Sequence, residues 1–454
     1  MLDWAKLLNP TRRKSLHLNE ASLGTKAGRD EFERDYDRIL FSAPTRRLAD
    51  KTQVFPMEQH DSVRTRLTHS YEVSNLARSI GVRLAFEHAE AVFGKNHEEL
   101  NVKRSVPALL AAIGLAHDLG NPPFGHQGEE SMQQWFKKKV EDFKDNTIES
   151  DFLSFDGNAQ TFRLLTKLQI LNDDYGLNLT LGTLAALIKY PSIYGESKFG
   201  FSKWGVFCSE REIVEEVWSL TGLEAGVRHP MTVIMEACDD IAYSIIDAED
   251  TVKKGYASFY DLMDYIEKNT SDGLSSGVAK KATAANERFR SLKLSSRELN
   301  DVSMQIFRAI SIAEMIAAVV DAFVLNIGEV VSGDKSSAFE LVKRSRCADF
   351  CKCVKDFDRR HGFQHRDVLK LELEGNNYIH SAMDMLWGAV NKGKPESPFE
   401  KYVYGGISEN YRRIYEGSAK DNYAKRQLIC DAVSGMTESY LVKNNKELRA
   451  LCDR

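Results

Sequence analysis

The window Ala116–Glu130, AHDLGNPPFGHQGEE, holds His117, Asp118, His126, Glu129 and Glu130 around a Gly-Asn-Pro-Pro-Phe-Gly turn. Surface charge needs no histidines, and a core helix needs no carboxylate beside one. The stretch leading in, VPALLAAIGLAHDLG, is almost wholly apolar and reads as a buried helix that carries His117 and Asp118 inward. An uncompensated carboxylate there costs several kcal/mol, so it needs a partner or a metal. His69 stands upstream in RTRLTHSYEV, behind Arg64 and Arg66. Downstream, MEACDDIAYSIIDAED puts Asp239, Tyr243 and Asp247 at i, i+4, i+8, one face of a helix. Two imidazoles and two carboxylates form a mixed nitrogen and oxygen donor set. It suits Mg2+, Mn2+, Fe2+ or Co2+ with open water positions better than a closed thiolate zinc site. Any one of these residues alone reads more simply as a satisfied core histidine or a helix-end charge; the constellation favours chemistry.

The elements that must position them read as helices. Only ten prolines interrupt 454 residues. Apolar residues recur at three- and four-residue spacing in SYEVSNLARSIGVRLAFEHAEAVF, DVSMQIFRAISIAEMIAAVVDAFVLNIGEVV and KRQLICDAVSGMTESYLVKN. Strand patterns are scarce, DKTQVFP being one short extended candidate, so the fold class is all-α. The polar stretch 268–289 reads as a mobile loop dividing the chain into a front portion, 1–270, with the metal site, and a helical portion, 271–454.

A formal charge of −5 gives no reason to expect a nucleic-acid-coating protein. The N-terminal MLDWAKLLNPTRRKS lacks the apolar core of a secretory leader, and Glu314 and Asp321 break the most apolar stretch too soon for a membrane span. Seven cysteines, an odd number, fit a reducing cytoplasm and no membrane attachment. Cys347, Cys351 and Cys353 lack the second pair a zinc site wants and read as ordinary thiols.

The order His69, His117-Asp118, Asp239 resembles the HD-domain metal-dependent phosphohydrolases. The longer words KTQVFP, RTRLTHSYEV, AHDLGNPPFGHQGEE, MEACDDIAY and SGMTESY are similar to those of the deoxyguanosinetriphosphate triphosphohydrolases, and in that family's order. The resemblance implies an HD-domain helical fold with additional C-terminal helices. It implies hydrolysis of dGTP, or of other dNTPs, to deoxynucleoside and inorganic triphosphate. Another HD-domain reaction, by a monophosphatase or phosphodiesterase, is the alternative. One divalent metal, Mg2+ or Mn2+ before Co2+ or Fe2+, would sit on His69, His117, Asp118 and Asp239. His126 and Glu129 match the family's catalytic pair. Gln53, Tyr243 and Asp247 match its sugar and active-site positions, and Lys189, Tyr190 and Arg426 its triphosphate contacts. The family is built as homo-oligomers, commonly hexamers, and some members bind single-stranded DNA. The word MTESY departs from the more usual acidic form.

Overall fold

The computed structural model describes residues 1–18, 28–57, 62–140, 149–169, 174–335 and 339–452. Among them the fold is all-α: no strand forms, and isolated bridges join Arg12 to Thr180, Thr52 to Thr65 and Ile193 to Val206. DKTQVFP thus contributes the end of a 3-10 turn at Asp50, one bridge residue, Thr52, and otherwise bends and turns.

Twelve helices matter to the site. The first four are α1 (Glu31–Leu40), α2 (Arg66–Glu87), α3 (Val102–Ala116) and α4 (Gly125–Lys139). Then come α5 (Gly157–Arg163), α6 (Pro230–Lys253), α7 (Gly273–Arg290) and α8 (Ser296–Leu325). The last are α9 (Ala348–Asp358), α10 (Arg366–Val390), α11 (Asn422–Ser434) and α12 (Glu438–Cys452). α2 and α3 pack so closely that a Cβ on Gly114 would lie 2.8 Å from Ser74 Cα. The Ser74 hydroxyl donates to the Ala111 carbonyl at 2.8 Å across the same contact. That intimacy brings the His69 and His117 rings to 5.5 Å between centroids.

α6 is buried on nearly every side, from Met231 to Val252, as a helix at the centre of a large core must be. Its start is fixed by His229, whose Nδ1 accepts from the Met231 N–H while Nε2–H donates to the Leu7 carbonyl. The N-terminal segment is thereby tied to the helix that carries Asp239.

Residues 268–289, expected as a loop, are helical over most of their length. Asp272 caps α7 by accepting from Ser275 N at 2.8 Å. Val278, Ala279, Ala282, Ala285 and Asn286 then supply a buried stripe at three- and four-residue spacing. Asn286 donates to Ser303 Oγ on α8 at 2.8 Å. The long C-terminal word, expected as one helix, breaks at Gly435–Thr437 into α11 and α12. One continuous apolar cluster runs from Trp4 to Leu448, so residues before and after 270 share a core. Among the described residues no helix is long and apolar enough to cross a membrane.

Candidate active site

α2, α3 and α6 deliver three donors to one point. Atoms of His69, His117 and Asp239 lie within 4.8 Å of one another. His117 Nδ1–H donates to the Gly114 carbonyl at 2.7 Å, which leaves Nε2 as the nitrogen with a lone pair. That Nε2 is buried, has no hydrogen-bond partner, and stands 3.6 Å from both Asp118 Oδ2 and Asp239 Oδ1. His69 Nε2 is 3.2 Å from Asp239 Oδ1. Asp118 stands at the edge of the group with its oxygens engaged: Oδ2 accepts from Arg66 Nη1 at 2.6 Å and Oδ1 from Asn121 Nδ2 at 2.7 Å.

The electrostatics ask for a cation. Burial alone would lower the His117 pKa, but Asp118 and Asp239 outweigh it and push it up to about 9. Burial likewise opposes ionisation of Asp118, yet Arg66, His117 and His69 bring it down to about 2. In Asp239 the two imidazoles overcome the same penalty and hold the carboxyl well below its usual range. An orphaned, buried imidazole nitrogen facing two half-buried carboxylates is the donor set that a hard-to-borderline divalent ion fits. Asp240, next in sequence, points elsewhere and pairs with Lys355 at 2.5 Å.

A second pair lies on α4. The His126 side chain is 76% exposed, whereas Glu129 is buried, and Nδ1 and Oε2 are 3.1 Å apart. Glu129 Oε1 accepts from Gly157 N at 2.7 Å, so α5 fixes the carboxylate. The hydrogen bond to Glu129, then its charge, raises the His126 pKa. Burial works against Glu129, but His126 and Lys203 keep it below its ordinary value. Arg66 joins the two clusters: while Nη1 holds Asp118, Nη2 lies 2.3 Å from where a Cβ on Gly125 would be. Only a glycine at the head of α4 admits that guanidinium.

Comparison with known proteins places the chain in a family. A family model described as HD domain matches residues 66–157, the segment from the start of α2 to the residue that holds Glu129. A deoxyguanosinetriphosphate triphosphohydrolase-like protein of Listeria monocytogenes is 33% identical over 97% of each chain. One from Synechocystis is 29% identical over 99% of this chain and 100% of that one. A deoxyguanosinetriphosphate triphosphohydrolase of Yersinia pestis is 28% identical over 92% of this chain and 94% of its own. This chain belongs to the deoxyguanosinetriphosphate triphosphohydrolase-like family. As a family member with an HD domain it is a phosphohydrolase, and the domain implies a divalent metal.

The other residues expected at the site from the resemblance fall as follows in this triphosphohydrolase-like protein. Lys189 is 3.7 Å from Glu236, and its pKa rises because Asp239, Tyr190 and Glu236 outweigh burial. Tyr190 packs edge-on to Phe201, and burial raises its pKa. Tyr243 lies against Phe363, ring centroids 5.6 Å apart. Asp247, one turn further on, is fully buried with neither oxygen hydrogen-bonded, and burial drives its pKa well above the carboxylate range. Gln53 Oε1 is also buried without a partner. Arg426 is buried too, but its Nη1 donates to Glu149 at 2.8 Å.

Two cations escaped the sequence reading as site residues. Arg66 reads in the sequence only as a neighbour of His69, although a carboxylate carried inward at Asp118 requires a partner of its kind. Lys203 reaches Asp156 at 2.5 Å and Glu129 at 3.6 Å. In sequence it is a lone lysine in a glycine- and serine-containing loop, with no spacing to mark it.

Proposed function

We propose that this enzyme hydrolyses deoxynucleoside triphosphates, dGTP foremost, to the deoxynucleoside and intact inorganic triphosphate. The observation that carries the reading is His126: an exposed imidazole braced by a buried, ionised Glu129, on a helix whose first residue touches the Arg66 that holds Asp118. A divalent metal held by His69, His117, Asp118 and Asp239 would lower the pKa of a water and polarise a phosphate oxygen. Mg2+ or Mn2+ suits that mixed donor set.

The chain's own groups then divide the work. His126 Nδ1–H donates to Glu129, so Nε2 is the atom that takes a proton from water or gives one to the departing 5′-oxygen. Lys189 and Lys203, with Tyr190 beside them, offer cations and a hydroxyl to a triphosphate carrying roughly four negative charges. Gln53 Oε1 is an unpaired acceptor, and Asp247, whose protonated form burial favours, offers a carboxyl O–H, which supports recognition of sugar hydroxyls by these two groups. Tyr243, packed on Phe363, limits the room beside that sugar and favours a 2′-deoxyribose.

Product analysis tests this. The metal-loaded protein is incubated separately with dGTP, dATP, dCTP, dTTP and GTP, and products are resolved by ion exchange. Deoxyguanosine with intact triphosphate, formed fastest from dGTP, is the expected result. Monophosphate with pyrophosphate, or free phosphate from a monophosphate, would assign a different HD-domain reaction.

A further inference from the structure

The word MTESY, which departs from the family's usual form, has a place in the structure that the reaction as described does not use. Glu438 opens α12 and is buried, 3% exposed. Its carboxylate accepts four hydrogen bonds from two distant segments. Oε1 accepts from Thr52 N at 2.7 Å and from Phe124 N at 3.0 Å. Oε2 accepts from Met57 N at 3.1 Å and from the Thr52 hydroxyl. An ionised carboxylate is acceptor-only with about four lone-pair sites, so these four donors fill it.

Two of the donors are unusual. Met57 and Phe124 are non-glycine residues in the left-handed region, with φ of 52° and 64°. That conformation is disfavoured for L-residues and persists only where the surroundings impose it. Each strained residue donates its N–H to the same carboxylate. A lysine completes the arrangement. Lys51 Nζ, buried, donates to the Asn121 carbonyl at 2.6 Å and the Ser434 carbonyl at 2.7 Å. Asn121 in turn donates to Asp118. Three segments, 51–57, 121–124 and 434–438, are thus fastened at two buried side chains, Glu438 and Lys51.

We propose that Glu438 is a positioning residue for the reaction, fixing the loop that carries Gln53 relative to the entry of the helix that carries His126. The inference rests on the roles given above to Gln53 and His126. Sugar recognition and proton transfer are then set by one group that touches neither substrate nor metal.

The test compares the full-length, metal-loaded protein with Glu438→Gln. The amide swaps one acceptor oxygen for a donor, which faces N–H groups it cannot satisfy. Hydrogen exchange of residues 52–57 and 124 should quicken together, by roughly 10- to 100-fold, while α2 and α3 keep their protection and metal content holds. In the same sample kcat should fall about tenfold or more, and the preference for dGTP over GTP in kcat/KM should narrow. Protection retained in both segments, or lost in only one, overturns the proposal. So do an unchanged kcat and sugar preference in the folded, metal-loaded variant. If the wild-type protein turns over no deoxynucleotide, the substrate reading fails, and the exchange measurement still decides the clasp. Should Glu438→Gln fail to fold, Thr52→Val removes one donor; the Phe124 amide, in the other segment, should then exchange faster, and an unchanged Phe124 rate overturns the proposal.

Discussion

An imidazole with one nitrogen tied to a fixed acceptor has one nitrogen left for chemistry. His117 and His126 both obey this rule, but with different acceptors. The Gly114 carbonyl holds His117 Nδ1–H and leaves Nε2 facing Asp118 and Asp239, where a metal would take the place of the proton those carboxylates favour. The Glu129 carboxylate, by contrast, stabilises a proton on His126. Replacing His126 with Ala should therefore leave bound metal unchanged, by elemental analysis, and lower kcat by roughly 10²–10⁴-fold. Metal retained with kcat unaltered would remove His126 from proton transfer. At this scale the sequence was most informative where composition forced a conclusion. A His-Asp pair ending an apolar helix had to turn inward, and His117 is buried while Asp118 is half-buried against Arg66. Arg66, Lys203 and Glu438 were illegible because a lone charge in a sequence reads as surface, and only its partners across the fold show otherwise.

Helices set the distances between these groups, and the close contact of α2 with α3 sets the spacing of the two histidines. Gly114→Ala would place a methyl 2.8 Å from Ser74 Cα, a backbone atom that cannot swing away. The helices must separate, at a cost of about 1–3 kcal/mol. Because His69 and His117 ride on opposite sides of that contact, metal affinity should fall with stability. Calorimetric melting and a metal titration on the same variant check this; a lower Tm with unchanged affinity would uncouple the packing from the site. The helix pattern itself was readable where apolar residues recur every three or four positions. It was misread in 268–289, where serines, lysines and glycines dilute a stripe built largely of alanines. Alanine buries little area, so its periodicity is faint in a sequence although it packs fully in the fold.

Across the whole molecule, one core joins the N-terminal segment to α6, and His229 makes that junction sensitive to acid. An unfolded imidazole titrates near 6.5; burial holds His229 down to about 4, with the Leu7 carbonyl only partly opposing. Between those values the unfolded chain binds a proton that the native state refuses. Stability is therefore fully present above pH 6.5 and drains away as pH falls toward 4, by roughly 2 kcal/mol between pH 7 and pH 5. His229→Asn keeps a capping side chain without the titration. Urea unfolding at pH 7 and pH 5 should show a smaller loss in the variant; parallel losses would exonerate His229.

The hydrogen bonds from Thr52 to Glu438 span 386 residues of sequence. A chain leaving the ribosome has its candidate metal ligands in hand by Asp239, yet the carboxylate that takes the Thr52 and Met57 amides arrives only with Glu438. The candidate site is accordingly completed late in synthesis: a nascent chain that already holds His69, His117 and Asp239 is unfinished until its final helices have docked.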